Sequence, residues 1–137
     1  MKRTMMNGLM AVALLAGTAL HAQSSQKVVA DVPFDFHGGS VALAAGAYMI
    51  QPASESSSSV LRIANRDHAR INSLAMSQSW KRDTGRPRLV FSRYGDEYFL
   101  SEICNGEECA ELTKQRRERE IADVTSPESV TVIAGLF

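Results

Sequence analysis

The chain has 137 residues, of which 45% are hydrophobic and 22% are charged, and its 15 basic side chains balance its 15 acidic ones. This length supports one ordinary globular domain but not two independent cores. The balanced charge excludes the broad basic surface that nucleic acids require, since the one dense basic run, over residues 114–119, is interrupted by Glu118 and followed by Glu120.

The N-terminal segment, residues 1–22, carries the features of an export signal. Lys2 and Arg3 precede an apolar run over residues 9–20, and Ala22 is a small residue suited to cleavage. A basic start, a short apolar helix and a small residue at the cleavage position are typical of secretory signal peptides. The apolar run is too short to span a bilayer comfortably. The segment therefore predicts export with removal of residues 1–22.

The product that remains after cleavage is expected to be a single domain over residues 23–137. We expect no lipid anchor, because Thr18 stands where a lipid-anchored bacterial protein needs a cysteine. Loss of Lys2 and Arg3 leaves roughly 115 residues with a slight acidic excess. The sequence thus predicts a soluble periplasmic or extracellular protein without a membrane span.

The first strand is predicted from an alternation of apolar and polar residues that begins at Val28 and reaches Phe36. A two-residue period is the pattern of a strand with one buried face. Pro33 cannot donate to a sheet ladder, which places this strand at an edge or gives it a bulge. A turn around Gly46 precedes a second short strand over residues 47–51.

The middle of the chain is predicted to alternate loops and strands. The serine-rich stretch over residues 52–59 has too little apolar content to pack and is predicted to be an exposed flexible loop. Two strands are predicted over residues 60–64 and 70–76, joined by a turn over residues 65–68. Another loop is predicted over residues 81–88, where Gly and Pro residues interrupt the pattern.

The clearest hairpin has strands over residues 89–94 and 97–104, which flank a compact Gly-Asp turn. Cys104, at its end, and Cys109 bracket a turn-rich segment, and opposed strands would bring their thiols together. We expect a disulfide in an oxidising compartment, contributing about 2 kcal/mol because the closed loop is short. The alternative is a free or metal-bound pair, which needs further ligands; the three histidines, His21, His37 and His68, are distant in the sequence.

A short helix is predicted to start at Thr113 and end at Asp123, because the segment is rich in helix-forming residues. Opposite charges four positions apart are predicted to pair on its surface: Lys114 with Glu118, Arg116 with Glu120, and Arg119 with Asp123. A final strand is predicted over residues 130–134. Together these elements predict an all-β fold, a compact antiparallel β-sandwich or barrel of seven to eight short strands with one short helix.

The polar residues do not form a recognisable catalytic constellation. Asp96, Glu97 and Glu102 invite comparison with the carboxylate pair of a hydrolase, but Asp96 suits a turn and Glu102 suits a semi-exposed strand position. Asp35 and His37 lie two apart on the polar face of the first strand and could contact each other, but no nucleophile is identifiable beside them. We therefore predict no catalytic, cofactor-binding or metal-binding residues.

Six aromatic residues could either fill the core or line a pocket: Tyr48, Trp80, Phe91, Tyr94, Tyr98 and Phe99. A domain of this size needs most of them for packing, so the core is favoured. Trp80, at the rim of the loop predicted over residues 81–88, is the candidate exception that would contact a ligand. Arg116, Arg117 and Arg119 form either a docking surface for a partner or a plain solvated helix face.

Four segments occur in an order that resembles a known pattern: VPFDF over residues 32–36, LAAGAY over 43–48, LVFSRYGDEYFL over 89–100 and RRERE over 116–120. The set is similar to a group of small exported proteins of uncharacterised function that are frequent in acidobacteria. The usual proline before the Ala-Gly pair is Ala44 here. The resemblance covers nearly the whole mature chain and implies a shared fold and export. It brings no reaction, ligand or catalytic residue with it.

The sequence therefore predicts an exported protein that acts as a structural or binding component of the cell envelope. One alternative is a carrier that encloses a small apolar ligand inside the sandwich or barrel. Another is a hydrolase that uses Asp35, His37 or Glu102.

Overall fold

The computed structural model describes residues 27–67 and 71–137. The predicted signal over residues 1–22 and the histidines His21 and His68 lie outside the described residues. The described chain forms eleven strands and one helix: β1 Val28–Val32, β2 Phe36–Gly38, β3 Val41–Leu43, β4 Gly46–Ser54, β5 Ser57–Asn65, β6 Ile71–Arg82, β7 Arg88–Tyr94, β8 Glu97–Cys104, β9 Glu108–Leu112, α1 Arg116–Ala122, β10 Glu128–Ile133 and β11 Gly135–Leu136. The predicted all-β class is confirmed, whereas the count of seven or eight strands is wrong.

The strands hydrogen-bond in the order β10-β7-β8-β9-β6-β5-β4-β1-β11, and every neighbouring pair along this path is antiparallel. Strand β6 has 12 residues and pairs with β5 along its first half and with β9 along its second. One long strand therefore joins the two halves of the sheet. Off this path, β2 pairs with β3 in antiparallel and with β8 in parallel orientation.

Pro33 divides the predicted first strand in two. The alternation is real, because Val28, Val32 and Phe36 are all buried. However, β1 ends at Val32 and Phe36 begins β2, since a proline has no N–H to continue the ladder. His37 consequently lies on β2 and not on the first strand, and this division adds one strand to the predicted count.

The serine-rich stretch is a hairpin, so the predicted flexible loop over residues 52–59 is wrong. β4 continues to Ser54, and a turn leads directly into β5, where Ser57 pairs with Ser54. The serines in this hairpin are exposed, but Leu61 and Ile63 further along β5 are buried and hold the strand in register. Backbone pairing extends beyond the buried part of a strand because it does not depend on apolar side chains.

The buried faces of these strands form the core, which contains most of the aromatic residues. Phe91 is fully buried, and the ring of Phe36 meets those of Phe91 and Tyr48 edge to face, with centroids 5.4 and 5.1 Å apart. Tyr94 and Phe99 are also buried. The prediction that these aromatic residues fill the core is confirmed, and their edge-to-face contacts add to the apolar burial.

The predicted disulfide is confirmed. Cys104 and Cys109 lie opposite each other in the β8–β9 hairpin, with their Cα atoms 4.1 Å apart and their sulfur atoms bonded. Both side chains are buried. The carboxylate of Asp83 lies close to these sulfurs, but it pairs with Arg88 at 2.9 Å. Because each sulfur is bonded to the other, this group does not present thiolate ligands to a metal.

The helix α1 is shorter than predicted, and the face that it turns toward the sheet differs from the predicted one. Of the three predicted surface pairs, Arg116 and Glu120 meet at 3.1 Å, and no other pair of that set lies within ion-pair distance among the residues described. Glu118 is buried and faces the sheet, so its predicted surface pairing with Lys114 is wrong. Within residues 27–67 and 71–137, no helix has the length and apolar character needed to cross a membrane.

Candidate functional site

An open groove of about 380 Å³ lies over the ends of three strands. Its lining comprises Asp35, Phe36, His37, Ala42, Leu43, Ala44, Asp96, Glu97 and Tyr98. We call this set the groove. Its three parts come from the start of β2, the end of β3 and the start of β8, which are far apart in the sequence.

Strand pairing explains why these segments meet. In the antiparallel β2–β3 hairpin, Phe36 lies opposite Leu43, so the start of β2 adjoins the end of β3. In the parallel β2–β8 contact, His37 lies opposite Phe99. Because these two strands run in the same direction, the residues that precede His37 lie beside those that precede Phe99. Asp35 and Glu97 are thereby brought to the same end of the sheet.

Aromatic rings give the groove a rigid wall. The imidazole of His37 stacks on the ring of Phe99, with centroids 4.5 Å apart and planes 14° apart. The ring of Tyr98 stacks on Phe34 at 3.8 Å, and the guanidinium carbon of Arg93 lies 5.4 Å from the Tyr98 ring centroid. These contacts restrict the rotamers of His37 and Tyr98, so both side chains are positioned before any ligand arrives.

The groove carries an excess of negative charge. Glu97 accepts a hydrogen bond from Arg117 at 2.9 Å and lies 4.0 Å from the imidazole Nε2 of His37. Asp35 accepts a hydrogen bond from the backbone N–H of Ala45 at 2.9 Å. Within the described part of the chain, neither Asp35 nor Asp96 forms an ion pair. Among the described residues, one of the three carboxylates is therefore in an ion pair with a protein cation and two are not, while the guanidinium of Arg93 lies against Tyr98.

A buried polar pair lies next to the groove. The hydroxyl of Tyr94 donates to the carboxylate of Glu118 at 3.0 Å, and Glu118 is only 3% exposed. Burial raises the pKa of Glu118, while the hydrogen bond from Tyr94 and the charges of Lys114 and His37 lower it in part. Burial and the neighbouring carboxylate together raise the pKa of Tyr94 to about 12. Tyr94 is therefore neutral, and a donor, throughout the physiological range.

The structure brings together some of the polar residues weighed in the sequence and separates others. Asp35 and His37 share the groove, but the carboxylate within 4.0 Å of His37 is that of Glu97 and not that of Asp35. Asp96 and Glu97 also line the groove, whereas Glu102 is not part of its lining. Among the described residues that line the groove, none is a serine, threonine or cysteine that could act as a nucleophile.

The residues proposed from sequence as a ligand or partner surface lie on two elements, Trp80 on β6 and the three arginines on α1. Trp80 lies on β6 opposite Ala110, and its indole N–H donates to the carbonyl of Ser58 at 3.2 Å. It is therefore part of a strand and not at the rim of a loop. Arg116, Arg117 and Arg119 are exposed on α1, and Arg117 is the one that contacts a groove residue.

Sequence reasoning missed Glu118. In the sequence it stands among arginines and a glutamate and has no feature that separates it from the exposed Glu120. The sequence favours a core position for Tyr94. A buried tyrosine hydroxyl needs a hydrogen-bond partner, and this need is the one general signal that a polar group lies nearby.

Comparisons of the chain with protein-family models, with curated proteins and with solved structures find no match. The functional argument therefore rests on the chemistry of the groove. Fold and site together define an all-β protein with an open, acidic groove, one aromatic wall and a single imidazole.

Proposed function

We propose that the protein is an exported binding component of the cell envelope whose groove receives a cationic group of its ligand. The observation that supports this proposal is the charge of the lining: Asp35, Asp96 and Glu97 face one groove, and Arg117 balances only Glu97. An ammonium or guanidinium group would pair with Asp35 and Asp96, which form no ion pair within the described part of the chain.

The groove suits a small polar group better than an extended surface. Its volume of about 380 Å³ lies at the lower end of typical ligand sites. An ammonium group donates up to three hydrogen bonds to carboxylates. Because the groove is open to solvent, salt screens its charges, and we expect binding to weaken as ionic strength rises.

Export is part of the proposal. The basic and apolar pattern over residues 1–22 supports it, and so does the Cys104–Cys109 disulfide, since disulfides persist in oxidising compartments and are rare in the cytosol. The similarity to small exported acidobacterial proteins agrees with the same location. We propose that the mature protein lies in the periplasm or outside the cell.

We also propose that the sheet closes into a barrel. β10 pairs with β7 at one end of the strand order, and β11 pairs with β1 at the other. Ala134 alone separates β10 from β11, and β1 also approaches β10. Residues 128–136, bent at Ala134, would pair with β7 through β10 and with β1 through β11. The sheet would then have none of the free edges that an open sheet exposes.

The test is a titration of the protein with tri-lysine, followed by backbone amide NMR. We expect shifts confined to β2, β3 and the start of β8. The double variant Asp35→Asn, Asp96→Asn should bind roughly tenfold more weakly, because it removes two exposed charges but keeps the oxygen that accepts from Ala45. Glu107→Gln removes an exposed carboxylate on the β8–β9 turn and should bind as the wild type does.

Tri-lysine acetylated on its amines is the matched probe, since it keeps the peptide and loses the cations. Equal shifts with both peptides, or unchanged binding by the double variant, would contradict the proposal. Native mass spectrometry of protein purified from its host tests the carrier alternative, because a co-purified apolar mass would replace the cationic ligand. Hydrolysis of a bound probe that ceases in a His37→Gln variant would point instead to the hydrolase.

A further inference from the structure

The segment over residues 113–127, which contains α1, connects β9 to β10 and contacts the groove residue Glu97 through Arg117. We call it the strap. Glu118 is the one buried side chain of α1, and the remaining helix residues are exposed or half-buried. The backbone N–H of Thr113 donates to the carbonyl of Met76 at 2.8 Å, which fixes the start of the strap. Few apolar side chains therefore hold the strap to the sheet.

Two polar contacts hold the helical part of the strap. Glu118 accepts a hydrogen bond from Tyr94 of β7 at 3.0 Å, and both side chains are buried. Arg117 donates to Glu97 of β8 at 2.9 Å, and this contact is exposed. An exposed ion pair contributes little to stability, so the buried contact of Glu118 is the main anchor.

The groups around Glu118 only partly stabilise a negative charge on its carboxylate. Tyr94 on β7 donates one hydrogen bond, His37 on β2 and Lys114 on the strap contribute positive charge from a greater distance, and Arg117 is engaged with Glu97. A buried carboxylate that accepts a single hydrogen bond is more easily accommodated when it is protonated.

We propose that the strap is a pH-sensitive latch at the edge of the groove, closed while Glu118 is protonated and loosened when Glu118 ionises. When the strap loosens, Arg117 leaves Glu97 and the groove becomes more acidic. The proposal concerns the strap alone and holds whether or not the groove binds a cation.

The direction of the pH effect follows from burial. Burial raises the pKa of Glu118 in the closed strap, so the closed form binds this proton more tightly than the open form does. Closure is therefore strongest below the ordinary pKa of a glutamate. It weakens as the pH rises through the raised value. The charge of His37 lowers the pKa of Glu118 and therefore opposes this effect in part.

The experiment is hydrogen exchange of the backbone amides of Arg119, Asp123, Val124 and Thr125, which donate to carbonyls within the strap, over a pH series corrected for intrinsic exchange. In the wild-type protein, the protection of these amides should fall several-fold as the pH rises from mild acid to neutrality. The amides of β4 and β5 should keep their protection. Glu118→Gln keeps an oxygen that accepts from Tyr94 but cannot ionise, so its strap should stay protected at every pH.

Glu120→Gln is the matched control, because it removes an exposed carboxylate from the same helix and should leave the pH dependence intact. Tyr94→Phe removes the donor and should lower protection at every pH.

His37→Gln should make the pH dependence of this protection steeper. Protection that is constant or rises with pH in the wild type would overturn the proposal, as would a Glu118→Gln variant with an unchanged pH dependence. If Glu118→Gln fails to fold, the pH dependence of protection in the wild type and in Glu120→Gln still tests the proposal.

Discussion

Gly39 adopts a backbone conformation that few other residues tolerate, and it also lies where there is no room for a side chain. Its φ is +65°, in the left-handed region. A Cβ atom there would collide with the carbonyl oxygen of Leu74 and with the hydroxyl of Ser73. The same serine hydroxyl donates to the carbonyl of Gly38. The β2–β3 hairpin is thus held closely against β6, and this contact positions one side of the groove.

Gly95 offers a matched comparison for Gly39. Its φ is +62°, but a Cβ at Gly95 would meet no atom within 4 Å. We expect Gly95→Ala to lower the free energy of unfolding by about 1 kcal/mol, the cost of the left-handed conformation alone. Gly39→Ala should lower it by about 3 kcal/mol, because the collision with β6 adds to that cost. Urea denaturation of both variants gives the comparison, and equal losses would show that the close approach contributes nothing.

Glu118 shows what residue-level reasoning cannot provide. Helical spacing places it four residues from Lys114, and that spacing alone predicts a surface pair. Its actual orientation depends on how α1 docks on the sheet, and docking depends on Tyr94, which is 24 residues away. Local spacing predicts which residues share a helix face but not which face is buried.

At the scale of elements, strands were recognised best where burial alternates. Polar strand segments were missed, such as the serines of the β4–β5 hairpin and the second half of β6. Residues 77–82 pair with β9 although most of their side chains are polar. Pairing with a neighbouring strand satisfies the backbone whatever the side chains are, so composition underestimates strand length.

The disulfide joins two neighbouring strands, and its contribution to the free energy of unfolding can be measured. We expect the double variant Cys104→Ala, Cys109→Ala to be less stable by about 2 kcal/mol, because the loop it opens is short and constrains the unfolded chain little. Its far-UV circular dichroism should remain that of a β protein. Thermal denaturation with and without a reductant measures the effect, and the reductant should change the wild type but not the variant. Loss of all β structure in the variant would contradict this expectation.

At the scale of the whole molecule, the net charge of the chain does not indicate the charge of the groove. Basic and acidic side chains balance over the sequence, yet Asp35, Asp96 and Glu97 converge on one surface. The parallel contact between β2 and β8 is responsible, since it joins segments about sixty residues apart in the chain. Net charge describes the chain as a whole and therefore does not reveal a local acidic site.

The export proposal is tested on the full-length chain in a bacterial host. Cell fractionation should recover a periplasmic or secreted product whose mass lacks residues 1–22 and shows both cysteines oxidised. A Leu14→Arg variant, which places a charge in the apolar run, should accumulate as the uncleaved precursor in the cytosol. An intact wild-type precursor retained in the cytosol would contradict the proposal.

The amino-acid sequence by itself was enough to predict the β class, the buried face of the first strand, the aromatic core and the cysteine pairing. The strand pattern and the cysteine pairing depend on residues that are near each other along the chain, where a two-residue period or a short turn limits the possible structures. The aromatic core follows from the apolar surface that a domain of this size must bury. The tertiary structure decided the burial of Glu118, the extent of β6 and the existence of the groove. These features depend on contacts between distant segments, whose geometry is set by how the strands pair and not by local composition.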